Sequence, residues 1–447
     1  MAGQCTKKWQ PPEDWSEWVQ WLGSGLHGRC RWRLPLIMIG MLLANGKRTV
    51  TSWLRAAGLQ KKFQNYYAFI SSVGRCAEIL AERLLVLLIG VIPSDDRVIL
   101  ALDDSPTTRY GPQVQGAGLH HNPTSGPDDH KFIYGHIWVT LAWVVRHPLF
   151  NTIALPFWSK LYVKRKDVEQ LCDTYQWTFQ TKLQLAAEMV NRTAKTLKNA
   201  GKTVWVVADG AYAYRPLLKE ILANVVVVSR LRKDAALRTV PGRCKPGTKG
   251  ARRKYGKQKI SLDQMATQRK GWTNVQCVLY GGKEVAKRCK TFLATYPVVG
   301  GLLRVVLVQE GKEWEVFFCT DPDASVKDIL EAYADRSAIE QTFGDLKEVW
   351  GAAQQQVRNL WCNIGAFHLN LWSHTLTELW AWDRDSRQLA DRSLSPWDDS
   401  SRRPSHADRR KAMRKQIIES EITVALAQRP DLRKIKKLCK LLLQLAA

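Results

Sequence analysis

The sequence predicts an α/β protein built on a mixed central sheet, preceded by a helical segment and interrupted by a β-rich, basic insertion. Three observations lead there. Helical apolar patterning dominates residues 1–92. Short apolar runs ending in aspartates begin only after residue 93. A cluster of strand-like runs then separates the second such aspartate from a long helix.

The elements follow in order. Residues 34–43 form an apolar run, and Gly46-Lys47-Arg48-Thr49 leads into a segment that Thr49 or Thr51 can cap and Gly58 can end. A further helix is expected over 62–88. Lys47, Arg48, Arg55, Lys61 and Lys62 cluster there, so 1–92 reads as a helical, DNA-contacting domain. Residues 97–102 form a strand that delivers Asp103-Asp104-Ser105, and the Gly/Pro-rich stretch from Pro106 to Pro127 reads as a long loop. Strands resume at 132–145 and 151–155, a helix with a break occupies 165–200, and 203–208 is a strand ending at Asp209-Gly210. This makes 93–215 the first part of the central α/β domain.

Residues 216–320 change texture. The stretch 235–261 is rich in basic residues, and strands are expected at 272–280, 291–296, 302–309 and 314–319. Ser325 can cap a long helix running towards Trp350, with another over 359–382, so 321–385 completes the α/β domain. The rest, 386–447, is a basic tail with a helix to about 427, a break at Pro430 and a last helix over 431–445.

The chain has 447 residues, with 67 Lys+Arg against 41 Asp+Glu, a net charge of +26. With 45% apolar residues it supports a large core, so the charge points to a polyanionic partner rather than to disorder. The early apolar runs are too short to span a membrane, and residues 1–25 hold four tryptophans and several charges, unlike a signal peptide. A cytoplasmic protein is expected, with no membrane partner. The ten cysteines show no CxxC pair and read as reduced thiols. His120, His121, His130 and His136 lie close in sequence but lack zinc-ligand spacing. No phosphate loop or dinucleotide glycine signature occurs.

The chemistry gathers around Glu340. Tyr333, Arg336, Glu340 and Lys347 sit at offsets that place them within about 60° of arc on a helix. Asp103 and Asp209 each end an apolar strand. Three carboxylates brought together repel one another unless divalent cations neutralise them, and oxygen ligands suit Mg²⁺ or Mn²⁺. Two such ions flanking a phosphodiester would support an in-line displacement. The basic residues Arg243, Lys245, Lys249, Arg252, Arg253, Lys254, Lys257 and Lys259 read as contacts to DNA phosphates, and Arg109 as a loop residue able to touch phosphate.

The pattern Tyr333-x2-Arg336-x3-Glu340-x6-Lys347, together with Leu102-Asp103-Asp104-Ser105 and Val207-Ala208-Asp209-Gly210-Ala211-Tyr212, resembles the signature of the IS4-type DDE transposases, in their IS701-like branch. The resemblance implies an RNase H-like catalytic domain, double-stranded DNA at transposon ends and target as substrate, and a homodimer in the synaptic complex. It also implies a nucleoid-associated location. Carried over, Asp103 or Asp104 is the first metal ligand, Asp209 the second and Glu340 the third. Asp103 is favoured because neighbours on a strand point to opposite faces. Tyr333, Arg336 and Lys347 would position DNA. In this family an insertion-domain aromatic handles a flipped base, and Trp272 and Trp314 are the candidates, though packed strand positions suit both. An RNase H-like endonuclease without strand transfer, or a catalytically inactive DNA-binding derivative, would share much of this sequence.

Overall fold

The computed structural model describes residues 9–427 except 94–95, 123–129, 243–250, 252, 280–281 and 394, together with four isolated positions near the C-terminus. Arg243, Lys245, Lys249 and Arg252 lie outside the described residues, as does most of the helix expected over 431–445.

Five α-helices come first among the described residues: α1 (Glu13–Gly23), α2 (Arg33–Leu43), α3 (Val50–Ala56), α4 (Phe63–Arg75) and α5 (Ala77–Val91). The Thr49 hydroxyl caps α3 by accepting from Ser52 N at 3.1 Å. Next come β1 (Arg97–Thr108), β2 (Gly118–His121), β3 (Phe132–His147), β4 (Asn151–Tyr162), α6 (Arg165–Tyr175), α7 (Lys182–Asn199) and β5 (Thr203–Ala208). Gln176, left-handed at φ 52°, ends α6 and supplies the break expected in this helix. Thr181 and Gln184 form a capping box that restarts the chain as α7.

The next stretch holds α8 (Arg215–Glu220), β6 (Val225–Arg230), α9 (Leu262–Thr267), β7 (Trp272–Leu279), β8 (Lys283–Tyr296), β9 (Gly301–Glu310) and β10 (Glu313–Cys319). The chain closes with α10 (Val326–Asp335), α11 (Ser337–Glu348), α12 (Leu360–Ala381), α13 (Ser386–Leu389) and α14 (His406–Ala427).

Among the described residues, ten strands join one sheet in the order β2-β3-β1-β5-β6-β10-β9-β8-β7, with β4 also paired to β3. β1, β5 and β6 run parallel, whereas β3 is antiparallel to β1 and β10 to β6. The protein therefore has an RNase H-like mixed sheet with a helical N-terminal region, and its β-rich insertion prolongs that sheet through β10. Helices cover both faces, which is why β3 reads as a nearly unbroken apolar run.

Several details differ from expectation: the helix expected over 62–88 is split into α4 and α5 at Cys76, β2 lies inside the expected loop, and β8 starts at Lys283 instead of 291. The stretch from Pro106 starts as strand, not loop: β1 continues to Thr108, pairing Pro106 with Ile137. Beyond Leu102 only β3 still pairs with β1, so a residue without an N–H is tolerated on the free edge. The helix expected from Ser325 to Trp350 is interrupted at Arg336, where Arg336 N donates to Tyr333 O and Ile339 N to Arg336 O, an i→i−3 pattern that tightens one turn.

Helix α12 is buried along nearly its whole length and ties the N-terminal helices to the sheet. Trp138 of β3 stacks on Phe367 at 4.0 Å between ring centroids. On its other side α12 meets α4 at two glycines. A Cβ on Gly74 would lie 2.0 Å from Trp361 O, and one on Gly365 2.0 Å from Ile70 O, so the two backbones approach as only glycine allows.

Candidate active site and a buried histidine cluster

Parallel pairing of β1 with β5 sets the geometry. The register ends with Leu102 opposite Ala208, so Asp103 and Asp209 are the next residues out on neighbouring strands. The Asp209 carboxylate accepts from Gly210 N at 2.7 Å, which starts a short 3₁₀ turn. Asp103 Oδ1 accepts from Asp104 N at 2.8 Å, and its Oδ2 accepts from Arg336 Nη1 at 2.8 Å. The same guanidinium donates through Nη2 to Glu340 Oε1 at 2.7 Å. Arg336 thus bridges a strand-end carboxylate and a helix-borne one, 233 residues of sequence being closed by the first contact. Its Nε is buried without a hydrogen-bond partner.

Tyr333 packs against Phe317 with ring centroids 4.7 Å apart and carries the Arg336 guanidinium 5.6 Å above its ring. Burial raises the Tyr333 hydroxyl pKa, Arg336 opposes this, and the charge of Asp209 adds to it. Burial pushes the Asp103 carboxyl up to about 6 despite Arg336, with Asp104 and Glu340 reinforcing the rise. Lys347 lies exposed on the last turn of α11 and makes no ion pair among the described residues.

Asp104 faces the other way. Its carboxylate meets Lys182 Nζ at 2.6 Å, at the start of α7, and the Tyr212 hydroxyl at 2.8 Å. Adjacent β1 residues therefore serve opposite faces of the sheet. Lys182 and Tyr212 received no role from the sequence, although Tyr212 sits inside a quoted motif.

Arg109 is a correction. It is 6% exposed and donates to His136 Nδ1 at 3.1 Å and to the carbonyls of Ala353 and Gln355 at 3.0 and 2.7 Å. Because β1 runs on to Thr108, Arg109 is carried into the protein, where it anchors the 353–355 turn rather than a phosphate. Of the basic stretch, Arg253, Lys254, Lys257 and Lys259 are described and exposed. Trp272 and Trp314 line a cleft of about 440 Å³ with Arg269, Arg288 and Lys312.

The oxygen donors of Asp103, Asp209 and Glu340 fit a hard divalent cation. The structure already places one cationic group, the Arg336 guanidinium, between two of them. Behind α11 lies a second polar group. One ligand atom each from Asp345, His374 and His406 falls within 4.8 Å of the others, and this cluster could coordinate a divalent metal. Burial lowers the His406 pKa to about 4, and the Glu378 carboxylate beside it is held at about 2 because Arg409 and His406 outweigh burial. Its members come from three separate segments, so no spacing in the sequence announces it.

A mixed RNase H-like sheet with acidic residues at the ends of its parallel strands is the setting in which the family comparison is read. The chain belongs to the DDE superfamily endonuclease family, whose profile matches residues 22–284, more than half its length. That stretch includes Asp103 and Asp209 and stops short of Glu340. No curated protein matches the chain. Among the described residues no helix is long and apolar enough to cross a membrane.

Proposed function

We propose that this endonuclease-family chain is the DNA transposase of an insertion sequence, of the IS4 type and IS701-like branch, acting on double-stranded DNA as a homodimer in the synaptic complex. The observation that supports it best is the Asp103–Arg336–Glu340 bridge beside Asp209. Asp103, Asp209 and Glu340 would hold Mg²⁺ or Mn²⁺, two ions per site. When bound, these ions supply Lewis-acid stabilisation of the charge that builds on the phosphodiester oxygens. Arg336 would meet a phosphate oxygen through the Nη1 and Nη2 donors that now hold Asp103 and Glu340, and Lys347 adds a point charge farther along the backbone. Tyr333 keeps the Arg336 fork in place from below. The exposed Arg253, Lys254, Lys257 and Lys259 hold flanking DNA without reading sequence. In the cell such an enzyme works at the nucleoid.

The test uses a duplex carrying the element's ends. Glu340→Gln abolishes Mg²⁺-dependent cleavage while duplex binding persists; surviving cleavage would show that Glu340 is no metal ligand. A pre-cleaved end with a free 3′-hydroxyl is joined by the wild-type protein to a second duplex. Cleavage without joining would reduce the protein to an endonuclease.

A further inference from the structure

We infer, on the reading of Asp103 and Asp209 as metal ligands, that Tyr212 is a positioning residue: through its hydrogen bond to Asp104 it sets the spacing of the two aspartates and thereby the affinity of the carboxylate centre for divalent ions. The sheet ladder stops short of fixing that spacing. β1 and β5 pair in parallel from Arg97 with Thr203 to Leu102 with Ala208, and the pairing ends there. Asp103 and Asp209 both stand one residue beyond it. Past this point β1 is held by β3 alone, Asp103 opposite Thr140 and Asp104 opposite Val139. The other chain segment leaves β5, whose last pair with β6 is Ala208 with Ser229, and enters the short 3₁₀ turn Gly210–Tyr212. Two strand ends that quit a common ladder on different paths need a separate tie to keep their side chains at one distance.

Tyr212 is that tie. It closes the turn that Asp209 opens, its backbone N donating to Asp209 O at 2.9 Å. Its hydroxyl donates to Asp104 Oδ1 at 2.8 Å, which bonds the turn after Asp209 to the residue after Asp103, 108 residues apart in sequence. The phenol is 2% exposed, and burial together with the Asp104 charge raises its pKa well above the ordinary range, so it stays a donor. Lys182 Nζ holds the second Asp104 oxygen at 2.6 Å. Both oxygens of Asp104 are therefore in use, on the face of the sheet opposite the Asp103 carboxylate.

The tie thus acts on the two strand ends and takes no ligand position for itself. Ligands perform only when held within about 0.5 Å of their working geometry. Loss of an outer support commonly lowers metal affinity by about 10- to 100-fold. Phenylalanine at 212 fills the same space and leaves Asp104 Oδ1 without its donor.

The full chain, stripped with EDTA and free of DNA, is titrated with Mn²⁺ while the unbound ion is followed by electron paramagnetic resonance. The wild type is expected to bind Mn²⁺, and Asp103→Asn to remove that binding. Tyr212→Phe, checked for native circular dichroism, is expected to weaken it about tenfold. Asp104→Ala leaves no acceptor and matches that loss, so the tie can be cut from either end. Asp104→Asn keeps an oxygen for the Tyr212 proton and is expected to weaken binding by no more than about threefold. Thr375→Val deletes another buried hydroxyl bond, to Pro156 O at 2.6 Å between α12 and β4, and leaves the affinity unchanged. In cleavage, Tyr212→Phe raises the half-saturating Mg²⁺ concentration about tenfold, and excess Mg²⁺ restores the rate to within about threefold of the wild type. Unchanged Mn²⁺ affinity in Tyr212→Phe, or an equal loss in Thr375→Val, overturns the positioning role and leaves a plain structural hydrogen bond. A loss in Asp104→Asn as complete as in Asp103→Asn overturns it as well, since Asp104 would then be a ligand. Mn²⁺ binding that is missing from the wild type, or that survives Asp103→Asn, instead overturns the carboxylate centre on which the role depends.

Discussion

The two sides of α11 make a useful comparison. On the front, one guanidinium, Arg336, is shared by Asp103 and Glu340, with Asp209 at the neighbouring strand end and the Glu340 side chain 56% exposed. On the back, Glu378 is 1% exposed and has both Arg409 and His406 against it. Both sides take carboxylates out of water, yet the outcomes are opposite. Burial wins at Asp103, whose pKa rises to about 6, whereas at Glu378, held at about 2, the Arg409 charge and the His406 hydrogen bond win. The front has more acid than its own cation can balance. Such an imbalance is costly for an isolated protein and useful for one that takes up divalent ions and places a phosphodiester among them. The back is nearly closed in charge and sealed, as a structural joint should be.

The sharpest way to break this comparison lies within the front itself. Asp103→Asn is expected to lower single-turnover cleavage by at least about a hundredfold, since losing a ligand to a catalytic ion forfeits several kcal/mol of charge stabilisation. Asp104→Asn removes a contact to Lys182 on the other face and is expected to cost less than about tenfold, the scale of a partly exposed ion pair. Equal losses in the two variants would mean that the face turned towards Arg336 is not the reacting one.

Stability separates front from back next. Glu378→Ala leaves Arg409 buried without its carboxylate and is expected to cost about 3–5 kcal/mol in urea unfolding. Glu340→Gln changes an exposed i,i+4 pair and is expected to stay within about 0.5 kcal/mol of the wild type. Comparable losses would show that the two clusters carry similar structural weight.

How much of this was legible beforehand depends on which residues are considered. Asp103 and Asp209 stood out because short apolar strands point at them, and a parallel register turns sequence position into adjacency. Glu340 and Arg336 stood out because helical spacing is periodic, even though the helix tightens by one turn at Arg336. Arg109 misled, since the length of β1 depends on β3 accepting Pro106 at a free edge, a tertiary matter. Lys182 and Tyr212 were silent because their partner Asp104 becomes theirs only when α7 folds over the sheet. The Asp345, His374 and His406 cluster was silent for a similar reason: three helices converge there with no fixed sequence offset.

Acid offers the finest discrimination, because the two sides respond with opposite sign. Asp103 has a folded pKa of about 6 against an ordinary 3.8, so its contribution to stability is fully present below 3.8 and is lost as pH rises through 6. His406 has a folded pKa of about 4 against an ordinary 6.5, so its contribution is present above 6.5 and is lost as pH falls through 4. Between pH 7 and pH 5, without divalent ions, acidification therefore strengthens the front while it weakens the back. Asp103→Asn removes the compensating front and leaves the histidine in place. Its unfolding free energy in urea is expected to fall more steeply over this range than that of the wild type, by a difference on the order of 1 kcal/mol. Parallel pH curves for the two proteins would mean that Asp103 is already fully ionised in the folded state at pH 5, and that Arg336, not burial, governs the front.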